Sequence, residues 1–255
     1  YSNISECKNL ETIKEKLNEL KEKNIYDYKK RTDAKKYFIK KIKADARKSH
    51  QNPIVYSMGK EMVEPYYEID LCGEGDAAIY VLARSSGEGS DRTVTEGDVK
   101  LTKSEIKDIL ELNRRFEKFM LVLNVGGVVD LSPVMEVGNI LLLSQIGVDS
   151  GKILSDILLG KQNPSGKLST TWAAFDNYSK EGTFGDMDET LYKEGIYVGY
   201  RYFDTFKKEI LFPFGYGLSY TKFETEVESV KNESDKITVK IKVKNTGTFS
   251  GKEVL

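Results

Sequence analysis

The amino-acid sequence predicts an α/β protein: a three-layer α/β/α sandwich on a mostly parallel sheet, followed by the beginning of a β-sandwich. Three observations carry this. Continuous apolar runs at 77–82, 119–125 and 140–143 are separated by stretches of helical character, the pattern of strands covered on both faces. Two of these runs lead straight into glycine-rich segments, 84–92 and 124–127. Past residue 222 the pattern changes to strict alternation with period 2, which is the mark of a half-buried antiparallel strand.

In chain order, Leu10, Ile13, Leu17 and Leu20 fall at i, i+3, i+7 and i+10, an amphipathic helix stripe. Residues 26–48 are helical in pattern but weakly apolar, as in peripheral helices, and 51–75 are irregular. The first strand, 77–83, is followed by the glycine-rich segment. Thr102-Lys-Ser-Glu105 is a capping box. Ile106, Ile109, Leu110, Asn113 and Phe116 continue it as a helix to about Lys118. The runs 119–125 and 140–143 are the next two strands. Residues 150–159 form a helix with Ile153, Leu154, Ile157 and Leu158 inward and Gly160 as its C-terminal cap. Residues 236–245 alternate strictly and close with the turn Asn245-Thr-Gly247. The expectation for 223–255 is the start of a β-sandwich whose remainder lies outside this sequence.

Composition removes several function classes. With 39% hydrophobic and 31% charged residues the chain reads as soluble and globular. No apolar run approaches the roughly 18–20 residues that span a bilayer, so no membrane partner is expected. Residues 1–20 lack an apolar signal core; localisation stays unknown, with a bacterial cytoplasmic setting favoured. Residues 1–50 hold 15 Lys and Arg against 8 Asp and Glu. These interleave as on a solvated helix face, without the aromatic-interleaved basic patch of a nucleic-acid binder. Cys7 and Cys72 are too few for a disulfide framework or a metal site, and His50 is the only histidine. Neither a metal nor a cofactor is expected.

Several motifs are decoys. Gly73-Glu-Gly75-Asp-Ala-Ala78 fits G-x-G-x-x-A but precedes a strand, where the dinucleotide fingerprint must follow one. Ser-Gly-Lys recurs at 150–152, 165–167 and 250–252 without phosphate-loop spacing. The sequons at Asn3, Asn177 and Asn232 matter only in a secretory pathway. Tyr192, Tyr197, Tyr200 and Tyr202 read as core or interface, and 192–223 as an ordered aromatic-rich connection.

The segment "ARSSGEGSDR" at 83–92 asks for a reason. A plain turn needs a glycine or two, not two carboxylates flanked by two arginines. In open parallel sheets, ligands sit beyond the carboxyl ends of the strands, and both glycine-rich segments leave from there. Read from the residues alone, Glu88 also fits an exposed turn glutamate. Arg84, Asp91 and Arg92 also fit a structural ion-pair network.

Four stretches together resemble one family. "RSSGEGSDR" (84–92) is similar to the acid/base loop of family 3 glycoside hydrolases, the β-glucosidase and β-xylosidase group. "LVLNVGGVVDL" (121–131) is similar to that family's strand-and-glycine segment. "SDILLGKQNPSGKLSTTW" (155–172) resembles its helix followed by N-P-S-G-K-L. "YKEGIYVGYRYFDTF" (192–206) with "FPFGYGLSYTKF" (212–223) resembles its tail. The resemblance is close over 77–255 and loose over 1–76. Residues 143–152 depart from it, replacing a more glycine-rich stretch.

This resemblance implies an α/β sandwich domain at 1–205 carrying the acid/base loop, a connecting segment at 206–222, and the start of a fibronectin-III-like β-sandwich at 223–255. It implies a general acid/base, Glu88, with Arg84, Ser86, Asp91 and Arg92 as substrate-binding or loop-orienting neighbours. The nucleophilic aspartate belongs to a (β/α)8 barrel of the same polypeptide, and no match to its motif is found in these residues. The implied partner is an oligosaccharide or glycoside with a terminal non-reducing β-linked sugar; self-association is left open. The rival reading is a non-catalytic carbohydrate-binding or scaffold module that retains the fold. A nucleotide-binding α/β domain is disfavoured by the lack of a phosphate loop.

Overall fold

The structure is a computed structural model that describes residues 71, 75–84, 92–180 and 188–255, with six helical positions from Lys36 to Arg47. The latter agree with the helical reading of 26–48. The apolar stripe at 10–20 and most of 51–75 lie outside the described residues. The chain divides into two compact units, Tyr1–Gln145 with Ala173–Gly195, and Ile146–Trp172 with Ile196–Leu255.

The first unit is built on a three-stranded parallel sheet of order β1-β2-β3, with β1 Ala77–Ala83, β2 Lys118–Asn124 and β3 Ile140–Leu142. Ala77 pairs with Lys118 and Ala83 with Asn124, and Leu121–Leu123 pair in register with 140–142. Parallel neighbours need a crossover. Helix α1, Lys103–Arg115, supplies it between β1 and β2, whereas the return from β2 to β3 contains only the 3-10 turn Ser132–Val134. Strand β2 is central, and Phe119, Leu121, Val122 and Leu123 are all buried. Together with Leu82, Ile109, Val125, Val129, Leu131 and Val134 they form the core. These strands and helix fit the α/β sandwich.

The capping box at the start of α1 forms as expected: the Glu105 amide donates to Thr102 Oγ1 at 3.1 Å, and the Thr102 amide to Glu105 Oε2 at 2.8 Å. The helix is shorter than its periodicity predicts. It ends at Arg115, Phe116 is extended, and Lys118 already belongs to β2. Residues 118 and 119 are taken by the ladder, where they pair with Ala77 and Ala78. Backbone pairing along a whole buried strand outweighs one further turn of local helix preference.

In the second unit, helix α2 spans Ser150–Leu158, and Gly160, at φ 68°, takes the left-handed position that ends it. Downstream, 168–172 runs antiparallel to 211–216. The Leu168 amide donates to Tyr216 O, the Gly215 amide to Leu168 O, and the Trp172 amide to Phe212 O, each at 2.8 Å. Helix α3, Tyr200–Phe206, buries Phe203. Around it Tyr200 stacks on Phe214 (5.1 Å) and Tyr197 meets Phe206 edge-on (5.3 Å). The part of 192–223 in this unit is thus tied by backbone hydrogen bonds and ring contacts.

Asn163 is a local hub. Its Oδ1 accepts from Ser219 Oγ and the Tyr220 amide, and its Nδ2 donates to Ser250 O. Gly217 is needed beside it, because a Cβ there would lie 2.4 Å from Gly166 O.

The alternating segment pairs as expected. β4, Phe223–Asn232, and β5, Ile237–Asn245, form an antiparallel hairpin. Asn245 Oδ1 accepts from the Gly247 amide in the turn that follows. A bulge between Val227 and Ser229 sets Val227 opposite Ile241 and Val230 opposite Val239. Two valines three residues apart thereby share the face of the β5 isoleucines and valines. The expected half-burial is not found: every residue of β5, and all of β4 except Phe223, is exposed. A half-buried strand needs an element packed on its apolar face, and no described element packs on this one.

Candidate active site

The parallel register decides where the two glycine-rich segments leave the sheet. Ala83 is opposite Asn124, and the Arg84 amide donates to Asn124 O at 3.1 Å. Both segments therefore depart from the same carboxyl edge, as the strand pattern predicts. β3 adds a third strand end there: Gln145 Nε2 donates to Arg84 O at 2.8 Å. Of the site residues predicted from sequence, Arg84 and Arg92 are described. Ser86, Glu88 and Asp91 lie outside the described residues.

Arg84 is withdrawn from solvent, 4% exposed. Its Nη1 and Nη2 donate to Glu105 Oε1 (2.7 Å) and Oε2 (2.8 Å), a bidentate pair. Its Nε donates to Asp98 O at 2.7 Å and Nη1 also reaches Ala83 O at 2.9 Å. Glu105 is buried too, so one carboxylate closes the capping box of α1 and neutralises Arg84. A guanidinium so enclosed is fixed to the chain around it.

Arg92 is tied to the same region from the other side. Its Nε donates to Asp98 Oδ1 at 3.0 Å and its Nη1 to Val128 O. The second Asp98 oxygen accepts from Thr93 Oγ1 at 2.7 Å and from the Thr93 amide. Asp98 itself is fully buried. It sits in a turn made by Gly97 at φ 89°, whose amide donates to Lys100 O. Gly127 is small for a related reason, since a Cβ there would lie 3.1 Å from Arg92 Nη1.

Arg84, Glu105, Arg92 and Asp98 form a linked set with two positive and two negative charges. Sequence reading singled out the arginines and took Glu105 only as a helix cap. Nothing in the pattern "VTEGDVK" separates Asp98 from an ordinary turn aspartate, and Gln145 carries no sequence signal either. Asp108, one turn beyond Glu105 on α1 and buried, is pushed up to about 6 by burial. Lys107 opposes this shift, while Glu111 and Glu105 add to it. No group of three or more His, Cys, Asp or Glu that could hold a metal gathers among the described residues.

Residues 9–220 match the glycosyl hydrolase family 3 C-terminal domain. The chain belongs to this family. A β-glucosidase of Ruminococcus albus is 39% identical over 185 residues, 71% of this chain and 19% of that protein. β-Glucosidase A of Butyrivibrio fibrisolvens is 38% identical over 231 residues, 73% of this chain and 28% of its own. Among solved structures, β-glucosidase 3B from Thermotoga neapolitana in complex with glucose superposes with a TM-score of 0.66 at 33% identity, covering 81% of this chain and 34% of that one. The chain thus spans roughly a fifth to a third of the length of these proteins. Its α/β part and the antiparallel strands that follow fit the family 3 C-terminal sandwich and the start of a β-sandwich.

Proposed function

We propose that this chain is the acid/base-bearing part of a retaining β-glucosidase, with Glu88 as general acid and base. The aspartate nucleophile comes from a (β/α)8 barrel elsewhere in the same polypeptide. The observation that carries this reading is the anchoring of the two described residues that flank the Gly-Glu-Gly motif in the sequence: Arg84 at the carboxyl edge of the parallel sheet, and Arg92, in buried or part-buried ion pairs. The β-glucosidase relatives support it and do not favour the non-catalytic carbohydrate-binding or scaffold reading.

The chemistry follows from two carboxyl groups about 5–5.5 Å apart. The nucleophile attacks the anomeric carbon of a terminal non-reducing β-linked sugar while Glu88 protonates the departing oxygen. Glu88, now ionised, takes a proton from the water that releases the sugar. Glycines on both sides let the backbone approach the substrate closely. Arg84 and Arg92 hold the segment, and Ser86 and Asp91 are the candidates for contact with the sugar. The proposed division is a sandwich domain over 1–205, a connection over 206–222 and the start of a β-sandwich at 223–255. The change from parallel to antiparallel pairing at Phe223 supports the last boundary.

The test is Glu88→Gln in the full-length enzyme. Acid help matters when the leaving oxygen is basic, and general acid catalysis contributes about 10²–10⁴-fold. The expected result is a loss of kcat/KM of about that size on alkyl β-glucosides and a much smaller one on 2,4-dinitrophenyl β-glucoside. Equal losses on both, or wild-type activity on the alkyl substrate, would remove Glu88 from this role.

A further inference from the structure

We infer that Asp98 is a positioning residue for the acid/base segment, because this one buried residue holds both of its ends. The inference rests on the reading of Glu88 given above and goes beyond it. At the N-terminal end, Arg84 Nε donates to the Asp98 carbonyl at 2.7 Å. At the C-terminal end, Arg92 Nε donates to Asp98 Oδ1 at 3.0 Å and Thr93 Oγ1 to Oδ2 at 2.7 Å. Asp98 is 0% exposed. These contacts join it to the two stems.

The geometry makes this hold rigid. Arg84 is locked at the same time to Glu105 in the first turn of α1, and the chain beyond Asp98 is pinned where the Asp130 amide donates to Val99 O at 2.8 Å. The stems are thereby referred to a helix and to the β2 exit. A carboxylate is the right group at position 98, because its oxygens meet only donors here: a guanidinium, a hydroxyl and a backbone amide. An amide of the same shape would turn one NH2 toward another donor. The set of two arginines and two carboxylates also anchors both stems with its charges balanced.

A misplacement of about 1 Å in a catalytic group can cost about 10²-fold. Asp98→Asn in the full-length enzyme is expected to lower kcat/KM on an alkyl β-glucoside by about 10–100-fold more than on 2,4-dinitrophenyl β-glucoside. A purely structural defect lowers the active fraction and reduces both equally. Equal losses, or no loss on either substrate, overturn the inference. Thr93→Val, which removes one of the donors to Asp98, serves where Asp98→Asn does not fold; it should show the same selectivity at smaller size, and equal losses there also overturn the inference. Glu88→Gln is measured in parallel. If it shows the leaving-group selectivity and Asp98→Asn does not, only the positioning role fails. If Glu88→Gln lacks it, the reading of Glu88 fails and the inference fails with it.

Discussion

Two ion pairs in this molecule have similar contact distances and opposite consequences. Arg84–Glu105, at 2.7 Å, has its side chains 1% and 5% exposed. Lys240–Glu228, across the β4–β5 hairpin at 2.6 Å, has them 73% and 35% exposed. In the first, both charges have left water, and each depends on the other and on its hydrogen bonds. In the second, water screens both partners. A buried pair adds little net stability over a well-packed apolar one, yet breaking it costs several kcal/mol because a bare charge remains. An exposed pair contributes about 0–1 kcal/mol. Separation alone therefore says little. Burial turns an ion pair into a geometric constraint, and in this chain one buried and one part-buried pair hold Arg84 and Arg92, the residues that flank the segment carrying Glu88.

The largest expected effect breaks the buried side of this comparison. Arg84→Met leaves Glu105 buried without its guanidinium and should destabilise the first unit by about 3–5 kcal/mol. Hydrogen exchange at the β2 amides of the intact protein is the measurement. Adding Glu105→Gln, which keeps an acceptor for the capping box and removes the orphan charge, should recover much of the loss. If the double variant is no more protected than the single one, the cost does not come from the unpaired charge.

A smaller effect sharpens the same point with a carboxyl whose burial outweighs the nearby Lys107 charge. The Asp108 carboxyl is raised from 3.8 to about 6, chiefly by burial. The folded state therefore favours its protonated form. The associated stability is fully present below pH 3.8 and is lost as pH rises through about 6. Asp108→Asn should match the wild type near pH 3.5 and be more stable above pH 6, by at most about 3 kcal/mol. Exchange rates of α1 amides across this range provide the check, and a difference independent of pH would contradict it.

The smallest effect is on the exposed side. Lys240→Met removes the hairpin pair and should change protection of the β4–β5 amides by about 0.5 kcal/mol or less. A loss comparable to that of Arg84→Met would erase the distinction.

The elements legible in the sequence were those with local signatures. Continuous apolar runs gave three parallel strands, and Thr102 with Glu105 marked the start of α1. Gly160 marked the end of α2, and strict alternation gave β5. The placement of two glycine-rich segments at one edge followed from parallel pairing alone. The end of α1 was not legible, because Phe116 and Lys118 continue a plausible helix until β1 claims residue 118 for its ladder. The bulge that gathers Val227 and Val230 on one face, and the exposure of that face, were equally hidden.

What the sequence by itself determined is β1 to β3, α1, α2 and β5, the edge on which a site must lie, and the family. Each rests on periodicity, on turn chemistry or on long contiguous motifs, all of which are local in the chain. What only the tertiary structure decided is the choice of partners. With 39 Lys and Arg and 40 Asp and Glu, a charge pattern allows far too many pairings to name one. Arg84 finds Glu105 across 21 residues, and the carbonyl of Asp98 across 14. These groups meet because β1, the turn at Gly97 and the first turn of α1 converge in space, and their burial there is a property of packing that no local pattern contains.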